Sequence, residues 1–297
     1  MNSIYTGDLV EVFELSANLY FRKGDLDTRK QCNSAYIVGP ASVTIMDVPT
    51  MEAAEEMIAE VRELFGKPIR NIVLTHNHGD HARGLPRFRS EPVAVYCSHR
   101  YLTEVAALFE GGPAHLCGIH GQADMMLEGL PVTLFTFEET AHSRGDLFVH
   151  LPNEGVLCTG DTVGDPRTLY FQDADPERWV HNIAGLARWG APRILPGHGD
   201  IYPPAIIGET VRFLRNLIQA AWECLTPLPS VFLDGFDLPG VTSAAAEKEI
   251  PSLDTLAEAF FQSGSPLAAA ILEKAGEKQA RREMRMLMRC LVRARLR

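Results

Sequence analysis

Four side chains of types that bind metals in proteins lie within one six-residue stretch, from His76 to His81. His76 and His78 are two residues apart, so an extended backbone would send both imidazoles to the same side. If the chain then turns, Asp80 and His81 can face the same cavity. Neutral imidazole and carboxylate suit zinc and the neighbouring divalent metals. One tripod of such ligands binds one metal, so four ligands in six residues indicate two metals side by side.

Alternating strands and helices would have to position this stretch. The apolar run at residues 72–74 predicts a short buried strand that leads directly into His76, and residues 51–65 carry apolar side chains at the spacing of one helical face. Further strands are predicted at residues 9–15, 36–38, 42–48, 93–96, 132–137, 147–151, 156–158 and 193–195, and further helices at 100–109 and 177–189. This alternation predicts an α/β fold, with helices packed on a sheet.

The pattern changes after residue 203. Helices are predicted at 205–224, 253–261 and 266–297, with a Pro- and Gly-rich loop at 227–240. We therefore predict a catalytic domain over residues 1–203 and a helical C-terminal extension over residues 204–297. The last helix carries an apolar stripe beside a basic face, formed by Met284, Leu287, Met288, Leu291 and Val292. Such a stripe usually packs on its own domain or on a partner subunit, and a tail that binds nucleic acid or a membrane is the alternative. A homodimer through the C-terminal helices is therefore a prediction.

Five motifs arrive in an order that resembles the metallo-β-lactamase-fold hydrolases over about residues 10 to 201. They are Asp47 at the end of an early strand, the HxHxDH string at 76–81, His142 in AHSRGD, Asp161 in TGDT and His198 in PGHG. The resemblance implies an αββα sandwich of the metallo-β-lactamase type, followed here by the helical extension.

The same resemblance implies roles for these residues. His76, His78 and His142 would hold the first metal, and Asp80, His81 and His198 the second. Asp161 and a hydroxide would lie between the two metals, and Asp47 would orient a ligand from behind through a hydrogen bond. Asp80 would act catalytically by orienting the hydroxide. The expected cofactors are two Zn²⁺ ions, with iron or manganese as alternatives.

The expected activity is hydrolysis of a small ester, thioester or lactone by a metal-bridging hydroxide. A small-substrate phosphodiesterase or a nuclease is an alternative, since a two-metal centre also suits that chemistry. A mononuclear-iron oxidoreductase resembling the persulfide dioxygenases of this fold is a second alternative. True lactam-cleaving members lack the bridging aspartate, and some have a cysteine in place of Asp161, which argues against antibiotic hydrolysis.

Three further residues are candidates for the substrate pocket. Tyr170 follows the Asp161 motif and corresponds to a region where some lactone-cleaving relatives use a tyrosine to steady the developing oxyanion. His120 lies in a Gly-rich segment at 110–121, which we predict to be a mobile loop beside the metal centre. Arg144 follows His142 by two residues and could bind an anionic substrate.

Composition narrows the class of protein. The 297 residues, 46% of them hydrophobic, are enough for a sizeable core. No apolar run reaches the roughly 20 residues of a membrane span, and residues 1–8 do not have the pattern of a secretory signal. Six scattered cysteines indicate reduced thiols and a cytoplasmic location.

The distribution of charge along the chain indicates which class of binding partner to expect. The net charge is −10, but residues 271–297 have a local balance of +6, which leaves −16 on the first 270 residues. An acidic body argues against a nucleic-acid partner and leaves a small molecule as the expected one.

Overall fold

The structure is a computed structural model that describes residues 2–7, 9–25, 31–171, 173–225 and 253–295. Its first sheet has eight strands in chain order: β1 (Asn2–Thr6), β2 (Val10–Ser16), β3 (Leu19–Gly24), β4 (Ser34–Val38), β5 (Val43–Met46), β6 (Ile69–Val73), β7 (Ala94–Ser98) and β8 (His115–Ile119). Strands β1 to β5 pair antiparallel, and β5 to β8 pair parallel.

The second sheet has five strands in the order β13-β12-β11-β10-β9: β9 (Gln122–Leu127), β10 (Leu130–Thr136), β11 (Leu147–Leu151), β12 (Val156–Gly160) and β13 (Arg193–Pro196). Only β12 and β13 pair parallel in this sheet. The α-helices of the described residues are α1 (Met51–Phe65), α2 (Gly79–Ala82), α3 (Leu102–Leu108), α4 (Pro176–Ala184), α5 (Ala205–Leu225), α6 (Leu253–Gln262), α7 (Pro266–Ala275) and α8 (Glu277–Arg295).

Three hydrophobic clusters define the layers. The cluster between the sheets joins residues such as Phe21 and Val73 of the first sheet to Val149 of the second. A second cluster packs Met57 of α1 against the outer face of the first sheet. The third packs Trp179 of α4 against the outer face of the second sheet. Helix–sheet–sheet–helix layering confirms the predicted αββα sandwich.

The helices after residue 204 bury their apolar faces in the same cluster as α4 and the second sheet. Leu217 of α5, Phe260 of α6 and Met284 of α8 all belong to it. The described part of the predicted stripe, including Leu287 and Leu291, is thus buried within the chain itself, while the Val292 side chain lies outside the described residues. A homodimer through these helices stays a prediction and would need another face.

Two predictions of local structure are wrong. Residues 266–297 do not form one helix, because the chain breaks at Gly276, whose φ of 75° lies in the left-handed region that favours glycine. The segment at 110–121 is not simply a loop, because His115–Ile119 forms β8, an edge strand paired with β7. Its mixture of His, Cys and Gly hides the strand alternation, and backbone pairing with β7 decides the conformation.

Several strands have no clear sequence signal: β1, β3 and β9 were not predicted. The predicted loop at 227–240 lies outside the described residues. Among the helices that are described, none combines the length and the apolar character needed to cross a bilayer.

Candidate metal centre

The predicted metal ligands and the carboxylate of Asp47 meet at one edge of the sandwich. Asp47 follows β5, His76 follows β6, Asp161 follows β12 and His198 follows β13. These strands form two parallel pairs, one in each sheet, so their carboxyl ends point to a common edge. His142 reaches the same place from the connection between β10 and β11. The two-sheet layering therefore collects ligands that are up to 122 residues apart along the chain.

One cluster consists of His76, His78 and His142, which each offer a ring nitrogen within 4.8 Å of the others. Nε2 of His142 lies 3.0 Å from Nδ1 of His78. His76 and His142 are buried, and burial lowers the pKa of His142 to about 3 and that of His76 well below 6.5. Both imidazoles are therefore neutral at pH 7, which is the form that binds a metal.

The second cluster consists of Asp80, His81, Asp161 and His198, with ligand atoms again within 4.8 Å of one another. Nε2 of His198 lies 3.1 Å from Oδ2 of Asp80, and Nε2 of His81 lies 3.3 Å from Oδ1 of Asp161. Burial would raise the pKa of Asp161, but His81 and His198 hold it far below its usual range. Asp161 is therefore a buried carboxylate.

Asp161 links the two clusters. Its Oδ2 lies 4.0 Å from Nε2 of His76 and 3.9 Å from Nε2 of His142 in the first cluster. The same oxygen lies 3.6 Å from Nε2 of His198 in the second. One carboxylate thus faces both sets of imidazoles.

The residues present fit divalent metals. Of the buried polar atoms that have no hydrogen-bond partner among the described residues, four belong to these clusters: His76 Nε2, His81 Nε2, His142 Nδ1 and Asp161 Oδ1. Burying unpartnered polar atoms is costly, and native proteins rarely do so without a ligand or water. Imidazole and carboxylate are ligands for zinc, iron and manganese. The clusters could thus hold two cations, with Asp161 shared between them.

Asp47 fixes the second cluster from behind. Its Oδ2 lies 2.8 Å from Nδ1 of His81, which leaves Nε2 of that ring to face Asp161. The same carboxylate accepts hydrogen bonds from the backbone N–H and the hydroxyl of Thr75, both at 2.7 Å. The structure thus places Asp47 where the sequence analysis expected a ligand-orienting carboxylate.

Asp173 plays the corresponding part in the first cluster, and the sequence analysis missed it. Its Oδ1 lies 2.7 Å from Nε2 of His78, so the other ring nitrogen faces His142. Burial favours the neutral form of both groups, yet their hydrogen bond raises the pKa of His78 and lowers that of Asp173. No motif surrounds Asp173 in the sequence, so only the tertiary structure identifies it.

Gly197 makes room for the carboxylate between the clusters. A Cβ atom at this position would lie 2.0 Å from Oδ1 of Asp161 and 2.7 Å from Cε1 of His81. Any side chain here would displace one of these groups, which explains a glycine immediately before His198.

A cavity of about 540 Å³ opens over the clusters. Its lining includes Asp80, Asp161, His198, Tyr170, Asp173 and Arg282. The lining is mostly polar and charged, and the size suits a small molecule.

Comparison with known proteins identifies the family. A family model described as the metallo-beta-lactamase superfamily matches residues 27–198, more than half of the chain. The chain belongs to the metallo-beta-lactamase superfamily. Members are generally metal-dependent hydrolases, and the two clusters give this one its candidate metal site.

The sequence identity between this chain and individual relatives is low. The chain is 22% identical over 166 residues to "Metallo-beta-lactamase type 2" of Bacillus cereus; the match covers 54% of this chain and spans only 64% of that curated relative. A solved metallo-beta-lactamase from Pontibacter korlensis is 20% identical, with a TM-score of 0.61, over 70% of this chain and 99% of that one. Another, from Erythrobacter litoralis, is 21% identical, with a TM-score of 0.61, over 72% and 99%. At this identity the solved structures show a shared fold.

The three predicted pocket residues of this superfamily member fall in different places. Tyr170 lines the cavity, with its ring 5.7 Å from the ring of His78. Arg144 is not among the lining residues, because its guanidinium is turned towards Glu104 on α3, at 2.8 Å. His120 does not line the cavity either: it is exposed on the turn between β8 and β9, where its ring packs 4.4 Å from that of His99.

Proposed function

We propose that this superfamily member is a dinuclear zinc hydrolase that cleaves a small ester, thioester or lactone. The observation that carries the proposal is the position of Asp161, whose carboxylate lies within 4.0 Å of four imidazole nitrogens, two from each cluster. Two ligand sets that share one buried carboxylate support a two-metal centre better than a single ion.

In this proposal, the residues of the two clusters hold the metals and the cavity holds the substrate. His76, His78 and His142 would hold one metal, and Asp80, His81 and His198 the other, with Asp161 between them. When bound, two such cations polarise the scissile carbonyl and lower the pKa of water towards neutrality. The 540 Å³ cavity above them would hold the substrate.

Asp80 has the position of a residue that orients the attacking water. Its side chain is 37% exposed and lines the cavity. Burial would raise its pKa, but the hydrogen bond with His198 holds that pKa well below its usual range. Asp80 is therefore a carboxylate at neutral pH, able to accept a hydrogen bond from water and fix its direction.

The first test is the metal content of protein purified without added metal, measured by elemental analysis. Two zinc ions per chain would support the proposal. One iron and no zinc would contradict it and favour the persulfide dioxygenase-like alternative, which oxygen uptake would then test.

The second test is a substrate panel on the metal-loaded protein. It contains p-nitrophenyl butyrate, a thioester, a lactone, bis-p-nitrophenyl phosphate and the chromogenic β-lactam nitrocefin, included because the named relatives are β-lactamases. The highest kcat/KM on the ester, the thioester or the lactone supports the proposal. Preference for the phosphodiester or for nitrocefin would replace it with a phosphodiesterase or a β-lactamase.

A cytoplasmic location and a homodimer belong to the same proposal. Cell fractionation tests the first, and light scattering of the purified protein tests the second. Recovery outside the cytoplasm, or a monomer at micromolar concentration, would contradict them.

A further inference from the structure

The C-terminal helix α8 contributes a positively charged side chain to the cavity over the metal clusters. Arg282 belongs to this helix and is one of the lining residues, beside Asp80, Tyr170 and Asp173. It is contributed by the predicted extension, beyond the residues that match the family model.

The position of α8 relative to the cavity is fixed by contacts on both sides of Tyr170. Nε2 of Gln279 donates to the carbonyl oxygen of Leu169 at 3.0 Å, and Sγ of Cys290 donates to that of Phe171 at 2.8 Å. Leu287 of the same helix is fully buried. The helix therefore holds Arg282 at a defined place on the cavity wall.

The guanidinium of Arg282 lies over the ring of Tyr170, with Cζ 5.0 Å from the ring centroid. Tyr170 in turn contacts His78 edge-on. A cation over an aromatic face is stabilised there, while the planar edge of its N–H donors stays available to an anion. The ring of Tyr170 therefore lies between Arg282 and His78 of the first cluster.

Arg282 is only loosely paired within the protein. Its side chain is 45% exposed, and its only ion-pair partner among the described residues is Glu283, with a nitrogen–oxygen distance of 3.8 Å. Elsewhere on α8, Arg281 pairs much more closely with Glu258 and Glu277. The two neighbouring arginines therefore differ. Arg281 forms close ion pairs with two glutamates, and Arg282 lines the cavity with N–H donors left for another group.

A second guanidinium lines the same cavity. Arg83, just after α2, is exposed and forms no ion pair with a carboxylate of the described residues. It lies two residues after the ligand stretch 76–81 in the chain. The cavity is thus lined by two guanidinium groups without a close carboxylate partner among the described residues. One comes from the catalytic domain and one from the extension.

We propose that Arg282, with Arg83, binds a compact anion on the substrate, a carboxylate or a phosphate carried away from the scissile bond. This inference rests on the proposed function and names its substrate class: an anionic acyl compound. Guanidinium forks pair with both anions through two parallel hydrogen bonds. The C-terminal extension would then determine specificity.

The test compares two esters that differ in charge, p-nitrophenyl butyrate and mono-p-nitrophenyl glutarate. Arg282→Gln is compared with Arg282→Lys, which restores the charge, and with Arg289→Gln, an exposed arginine of the same helix that does not line the cavity. We expect Arg282→Gln to lower kcat/KM for the charged ester roughly tenfold, mainly through KM, and at least five times more than for the neutral ester. Arg282→Lys should recover part of the loss, and Arg289→Gln should match the wild type.

An equal loss on both esters would overturn the proposal, because it would show that Arg282 acts only by packing on Tyr170. No loss on the charged ester would overturn it as well. Sodium chloride at 0.5 M should reduce the wild-type preference for the charged ester, since the arginine is partly exposed.

Calorimetric titration separates this inference from the proposed function. Glutarate and inorganic phosphate are titrated into metal-loaded wild type and Arg282→Gln, with no turnover required. Weaker binding to the variant supports the anion site even if neither ester is hydrolysed, and the anion that loses more affinity identifies carboxylate or phosphate. Equal binding of both anions to the two proteins would overturn the inference.

Discussion

Nε2 of His78 lies 2.7 Å from Oδ1 of Asp173, 95 residues further along the chain. The contact fixes which nitrogen of His78 faces the first metal cluster. Asp47 does the same for His81 in the second cluster, at 2.8 Å. Each cluster therefore has one carboxylate behind one histidine, and hydrogen bonds of this kind orient the ring and increase its basicity as a ligand.

Removing the charge of Asp173 should weaken metal binding. Asp173→Asn is expected to lower the zinc affinity of the first cluster by about tenfold to a hundredfold, because the imidazole of His78 loses its negatively charged acceptor. Competition with a chromogenic zinc chelator measures the change. Asp124→Asn, on the exposed face of β9, is the matched control and should leave the affinity unchanged. Equal affinities of Asp173→Asn and wild type would show that the contact does not tune the ligand.

The same pair predicts a pH dependence of the metal-free protein. In the metal-free protein, the pKa of His78 is raised above 6.5. The contribution of His78 to stability is therefore full below about pH 6.5 and is lost as the pH rises through the raised value. The pKa of Asp173 is lowered, so its contribution is present above about pH 3.9 and is lost as the pH falls through the lowered value.

The stability difference between wild type and Asp173→Asn should therefore be largest between about pH 4 and pH 6.5 and should shrink at higher pH. Urea unfolding of both metal-free proteins across this range measures it. A difference that grows steadily from pH 6.5 to pH 9 would contradict the assignment.

His198→Ala should deplete one metal selectively. His198 contacts only the second cluster, through Asp80 and Asp161, so the three histidines of the first cluster keep their ligand set. We expect the zinc content to fall from two ions per chain towards one, measured by elemental analysis after dialysis. His181→Ala, an exposed histidine on α4, serves as the control. Loss of both ions would show that the clusters bind metals as one cooperative unit.

Asp80→Ala should reduce turnover far more than stability. The side chain lines the cavity and is partly exposed, and its only hydrogen bond among the described residues is the one with Nε2 of His198, so its loss removes a single contact from the fold. A residue that orients the attacking water contributes roughly a hundredfold or more to the rate. The expected result is a kcat at least about a hundredfold lower, with a melting temperature within a few degrees of wild type. Full activity of the variant would remove Asp80 from the mechanism.

Asp47→Ala should destabilise the fold as well as the second cluster. Three hydrogen bonds to this buried carboxylate would be lost, and its φ of 53° lies in a region that alanine adopts poorly. We expect a loss of about 2 kcal/mol or more in the free energy of unfolding, measured with urea. Asp47→Asn tolerates the same backbone and keeps an acceptor, so it should lose less. Equal losses for the two variants would mean that neither the backbone conformation nor the retained acceptor contributes to stability.

The amino-acid sequence by itself indicated the family and the candidate metal ligands. Spacing in the stretch 76–81 and the three later motifs named every member of the two clusters, and the periodicity of residues 51–65 predicted α1 at its observed bounds. Metal ligation restricts both residue type and local backbone spacing, so it leaves short patterns that are visible in one dimension. Apolar periodicity does the same for elements with one buried face.

Only the tertiary structure decided which distant residues complete the site. Asp173 reaches His78, and Arg282 reaches Tyr170, through packing of α4 and α8 on the second sheet. Arg144 and His120 had suitable side chains close to motifs, but their local partners turn them elsewhere. Contacts between residues far apart in the chain depend on how layers pack and which face a side chain takes. Neither leaves a repeat or a spacing that a single sequence displays.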